Sequence, residues 1–90
     1  MGLISKSDNG WELHRINDGS LSCENPKLGN DDINRIKKIL MPKFGEGMKK
    51  EKVFVSYDNW SGVFIMHMPK LKTQNSDELI SQIFEFLSVR

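Results

Sequence analysis

The chain has little of what most catalytic chemistry needs. Its 90 residues include one cysteine, Cys23, and two histidines, His14 and His67. A lone cysteine excludes an internal disulfide framework and any cysteine-rich zinc site. The simplest compartment for such a chain is a reducing cytoplasm. No apolar run reaches the ~18 residues that a membrane-spanning helix requires, so no membrane partner is expected. The first residues, Met1-Gly2-Leu3-Ile4-Ser5-Lys6, lack the apolar stretch of a signal peptide. Lys6 stands where a myristoylation signal wants serine or threonine. Proline and glycine are at ordinary levels, with 3 and 7 residues, and 38% of the chain is hydrophobic. That composition excludes collagenous and disordered classes. A chain of this length makes one domain, 1–90, with too little interior for a deep catalytic cleft.

What is present is uneven charge. The net charge is only +1. Yet residues 35–72 carry nine basic side chains against three acidic ones, and acidic residues dominate on both sides. Such asymmetry bears on partners rather than on fold.

Residues 1–10 read as a loose arm without periodicity, with the folded core over 11–90. Trp11 to Ile16 and Ser20 to Glu24 form a hairpin around Asn17-Asp18-Gly19, since Asp-Gly supplies the positive φ that tight turns need. After the Asn25–Gly29 loop, Asn30 or Asp31 caps a helix. Its apolar stripe is Ile33, Ile36, Ile39 and Leu40. Pro42 is expected to stop this helix, leaving residues 43–51 as a glycine- and lysine-rich connector. Val53–Tyr57 and Val63–Met68 form a second hairpin around Asp58-Asn59-Trp60-Ser61-Gly62, ended by Pro69. A last helix opens near Asn75 or Ser76, with Glu78 at capping-box spacing from Asn75. The order is ββαββα. It implies an α+β domain with a four-stranded, mostly antiparallel sheet and two helices.

No constellation for catalysis emerges, and the chain is expected not to be an enzyme. Cys23 pairs only with His14 or His67 as a nucleophile and base, and Cys23 shares the parity of Leu21, pointing it toward the core. The histidines lack metal-ligand spacing, so no metal and no cofactor is expected. The pairs Asp31-Asp32 and Asp77-Glu78 are explained by the positive ends of helix dipoles. Gly45-Glu46-Gly47 with Lys49-Lys50 has the wrong surroundings and spacing for a phosphate loop.

Two features point to partners. The first is the second hairpin, whose strand Val63–Met68 is apolar on both sides. A sheet with one wet face would alternate more cleanly. Either helices or the N-terminal arm cover Phe54, Phe64, Met66 and Met68, or a partner does. With Trp60 these residues form the candidate protein-binding surface. The second is the basic middle: Lys37, Lys38, Lys43, Lys49, Lys50, Lys52, Lys70 and Lys72 would neutralise phosphates if they converged, with Trp60 or Phe44 stacking on bases. Lysines on a solvated helix face are routine, and no arginine cluster or RNA-recognition signature accompanies them. The favoured expectation is a small non-enzymatic module that binds another protein, in the size class of inhibitors such as bacterial immunity proteins and antitoxins. The alternatives are a nucleic-acid-binding module and a structural subunit that assembles as a homodimer.

Overall fold

The computed structural model describes residues 2–68, 70 and 73–90. Among these residues, five strands and two helices follow one another as β1 (Gly2–Lys6), β2 (Glu12–Arg15), β3 (Leu21–Asn25), α1 (Ile33–Lys50), β4 (Val53–Asp58), β5 (Gly62–His67) and α2 (Gln74–Ser88). A 3₁₀ turn, Asn30–Asp32, leads into α1. The strands form one antiparallel sheet in the order β1-β2-β3-β5-β4. The α+β class and both hairpins agree with the sequence. The strand count does not: the sheet has five strands rather than four, because the supposed loose arm supplies β1.

One row of side chains explains how the sheet holds the helices. Leu13, Cys23, Ile65 and Val55 stand opposite one another across four strands. Opposed residues of antiparallel strands project to the same face, and all four are buried. Ile36, Leu40 and Phe44 of α1 join the same core as Ile80, Ile83, Phe84 and Leu87 of α2. Both helices therefore pack on one face of the sheet. α1 lies over the edge strand β4, while α2 lies over β3 and β5. Trp11 is buried in that same core.

The end of α1 corrects the sequence reading. The helix does not stop at Pro42 but runs on to Lys50, with Pro42 inside it. Proline there lacks an N–H for the carbonyl one turn back and crowds it. The apolar stripe overrides that local cost. Ile36, Leu40, Phe44 and Met48 recur every fourth residue and pack on the core, so ending at Pro42 would expose Phe44. The segment 43–51 is thus mostly helix rather than connector. A Cβ on Gly47 would meet a Leu79 methyl at 3.4 Å, so glycine marks a close approach of α2. Lys52, in the left-handed region at φ 58°, turns the chain from α1 into β4.

The caps also differ from expectation. Gly29, not Asn30 or Asp31, precedes the 3₁₀ turn, and its N–H donates to Asp32 Oδ2 at 2.9 Å. That bond, with Arg35 at 3.0 Å from Oδ1, holds the Asp32 carboxyl below the usual aspartate range. At α2 the cap is Thr73 rather than Asn75 or Ser76. Ser76 N–H donates to Thr73 Oγ1 and Thr73 N–H to Ser76 Oγ, each at 3.0 Å.

Candidate functional site

With both helices on one side, the other side of the sheet carries no helix. Its composition follows from strand register. Opposed residues give one row of Ser56, Phe64, Glu24, Glu12 and Lys6. A second row contains Phe54 with Met66 and, further across, Ser22, His14 and Leu3. The face divides into two halves. Over β4 and β5 it is apolar: the Phe54 and Phe64 rings meet edge to face, with centroids 5.9 Å apart. Such packing favours a fixed ring geometry. Over β2 and β3 it is polar. His14 Nε2 lies 2.8 Å from Glu12 Oε1 and 3.8 Å from Glu24 Oε1.

The five residues proposed for protein binding are spread along the length of the β4–β5 hairpin. Phe54, Phe64 and Met66 share the helix-free face and are half-buried by their neighbours. Trp60 sits in the turn at one end of the hairpin and is 92% exposed. Asp58 Oδ1 fixes that turn by accepting from the N–H groups of Trp60 and Ser61, at 2.9 and 2.6 Å. Met68 is exposed at the opposite end of the hairpin. Trp60 therefore extends the apolar half in one direction and Met68 in the other.

The lysines divide as well. Lys49, Lys50 and Lys52 line one groove with Glu46 and Gly47, where α1 turns into β4. Lys37 lies on the α1 flank facing β4, beside Met41 and Met48. Lys43 lies on the flank facing α2, with its Nζ 5.3 Å from the centroid of Phe86. Lys38 is exposed, a helical turn's fraction away from Lys37. Lys70 is exposed, and Lys72 and Pro69 lie outside the described residues. Phe44 is buried against Phe86, so it offers no ring to a base.

The candidate catalytic residues are kept apart. Cys23 opposes Leu13 on the helix side, whereas His14 opposes Ser22 on the other side. The two side chains project to opposite faces. Burial, helped by the Glu24 charge, pushes the Cys23 thiol far up from its ordinary range. A buried thiol held protonated is inert. His67 is buried too, with its Nδ1 2.6 Å from the Met68 carbonyl and its Nε2 2.6 Å from Ser20 Oγ. A carbonyl only accepts, so Nδ1 donates, which leaves Nε2 bonded to the Ser20 hydroxyl. Both ring nitrogens are thereby used in structure. Asp77 is also committed, accepting from Leu21 N–H at 3.3 Å. Among the described residues, no group of three or more His, Cys, Asp or Glu side chains is placed to hold a metal ion. Among the described residues, no helix is long and apolar enough to cross a membrane.

Cys23 gives a measurable pH effect. A thiol raised in the folded state contributes stability that is fully present below its unfolded pKa of about 8.5 and lost as pH rises beyond it. Urea titrations from neutral to alkaline pH should show the wild type losing stability above that value. Cys23→Ala, although less stable throughout, should lack that component of the slope.

No protein-family model matches this chain, and neither a curated protein nor a solved structure matches it.

Proposed function

We propose that this chain is a small non-enzymatic protein-binding module, of the kind that acts by covering a partner protein. One observation carries the reading: both helices pack on one face of the sheet, leaving Phe54, Phe64 and Met66 on the face without helices. Interface cores are rich in aromatics and methionine and rimmed by polar groups. Here the apolar half is flanked by Glu12, His14 and Glu24, and it continues toward the exposed Trp60. An aromatic anchor of that kind often carries much of a binding energy. The acidic flank suits a partner surface with basic residues around an apolar centre. In this reading the domain neutralises its partner by covering it, as an inhibitor or immunity protein does.

A second reading rests on Lys49, Lys50 and Lys52 around one groove. Three convergent cations are a site for phosphates, and a nucleic-acid ligand would bind with a steep salt dependence.

The test is affinity capture from the native host with the tagged wild type and with Trp60→Ala/Phe64→Thr. Threonine keeps strand propensity, so circular dichroism should be unchanged. The proposal expects a stoichiometric protein partner whose recovery falls about tenfold or more with the double variant. Recovery of nucleic acid alone, released by salt and lost in a Lys49/Lys50/Lys52 charge variant, overturns it in favour of the second reading.

A further inference from the structure

The edge strand β4 carries a second surface, which meets the helix-free face at Phe54. Its backbone directions follow from one hydrogen bond. Met68 N–H donates to the Lys52 carbonyl at 2.8 Å. Lys52 therefore points its peptide groups toward β5, and alternation along the ladder sends those of Phe54, Ser56 and Asp58 the same way. Val53, Val55 and Tyr57 then direct their N–H and C=O groups to the open edge. A row of that kind is a template for another strand.

The edge is not flat. α1 overhangs it, and between them runs a groove of ≈ 360 Å³ lined by Lys37, Met41, Met48, Val53, Phe54 and Val55. Met41 is 62% exposed in that groove. Where α1 turns into β4, the groove of Lys49, Lys50 and Lys52 adds positive charge near the start of the strand.

The overhang selects the occupant. Pairing β4 with β4 of a second copy would set the two strands about 4.8 Å apart. An antiparallel pair of this kind keeps both copies' helices on the same side. Each α1 lies over its own edge strand, while helix axes need about 8–10 Å between them. Antiparallel pairing with a second copy is thus blocked by α1. A single extended segment is not.

We propose that the β4 edge binds an extended peptide as a sixth strand, with an apolar side chain in the Met41–Met48–Val53–Val55 groove and an acidic residue, on the alternate side of the peptide, toward Lys52 at the start of β4. Main-chain bonds to Val53, Val55 and Tyr57 hold the peptide, and the groove with its lysines selects acidic-apolar alternation over basic. Strand addition at a sheet edge works in this way generally.

The probe is a fluorescein-labelled heptapeptide alternating isoleucine with glutamate, followed by anisotropy and by ¹⁵N NMR of the whole chain. Saturable binding is expected, with the amides of Val53, Val55 and Tyr57 shifting and gaining protection from exchange. The lysine-for-glutamate peptide should bind about tenfold more weakly. Tyr57→Pro removes an outward N–H that no neighbouring strand uses, and proline is tolerated at such edge positions. It should abolish binding while the rest of the spectrum is kept. Lys52→Glu should weaken binding about tenfold and reduce its salt dependence. The proposal is overturned if no saturable binding occurs at millimolar peptide. It is also overturned if Tyr57→Pro binds as the wild type does, or if light scattering shows a dimer that the same substitution dissolves. Shifts confined to Phe64, Met66 and His14 would overturn it while favouring the helix-free face as the contact.

Discussion

Gly62→Ala should lower stability by about 3–5 kcal/mol, enough to leave much of the chain unfolded at 37 °C. Two causes add. Gly62 adopts φ 72°, and an L-residue pays roughly 1–2 kcal/mol in that left-handed region. The larger cause is space. A Cβ at this position would lie 2.2 Å from the Asn25 carbonyl oxygen and 2.6 Å from Pro26 Cα. Both are backbone atoms, so no rotamer change relieves the overlap. Relief requires moving the end of β3, where the ladder already shifts register at Asn25, which opposes both Gly62 and Val63. Forcing atoms into a packed region costs roughly 1–3 kcal/mol or more. Against a total of roughly 4–13 kcal/mol for a domain of this length, the loss is severe. Urea denaturation monitored by Trp11 fluorescence measures it. Gly29→Ala is the control: nothing lies within 4 Å of its added Cβ, and it should change the midpoint little.

Pro42→Ala should do the reverse and stabilise the chain by about 2 kcal/mol. Inside a helix, proline is about 3 kcal/mol worse than alanine. The substitution restores an N–H that can donate to the Lys38 carbonyl, and it removes the ring's clash with that carbonyl. Pro42 is exposed, so no core packing is lost. Part of the gain is offset because proline also restricts the unfolded chain, an effect of roughly 0.4–1 kcal/mol. A thermal midpoint higher by roughly 10 °C is the expected readout for a domain of this size. An unchanged or lower midpoint would mean that α1 is broken at Pro42, as the sequence alone suggested.

Those two residues mark where local sequence speaks clearly and where it does not. The hairpin of β4 and β5 is legible because Asp58–Gly62 is turn chemistry and the flanking strands are β-branched and aromatic. Gly62 is recognisable as a turn glycine. Its second role, letting the end of β3 pass over it, depends on a contact 37 positions away in sequence. The far half of α1 was hidden by Pro42, Gly45 and Gly47, each a local signal against helix. Only the packing of Phe44 and Met48 on the core outweighs them. β1 was hidden for another reason. Leu3 and Ile4 are adjacent rather than alternating, and the register shifts between Leu3 and Ser5. A bulge erases the period-two pattern that identifies a strand.

The candidate surface was legible in part. Parity placed Phe54, Phe64 and Met66 on one side of the hairpin. Whether a helix covered that side was not readable, because the stripes of α1 and α2 are compatible with either face. The parity of Cys23 correctly indicated the core, and the strand register separates it from His14. The lysines between Lys37 and Lys52 could not be placed without knowing that most of them ride on one cylinder. A helix sends residues close in sequence to different flanks, which is why Lys37 faces β4 and Lys43 faces α2.

The first strand has a standing in the molecule unlike that of the other four. All five of its residues are exposed, none belongs to the core, and among the described residues its strand neighbour is β2 alone. Detaching it would sacrifice one ladder and the partial cover of Leu3 and Ile4, but no core packing. What remained would be the four-stranded, two-helix body that the sequence describes, with β2 as its new edge. The protein is in that sense a complete domain with a hem, and the hem is the part that opens at least cost.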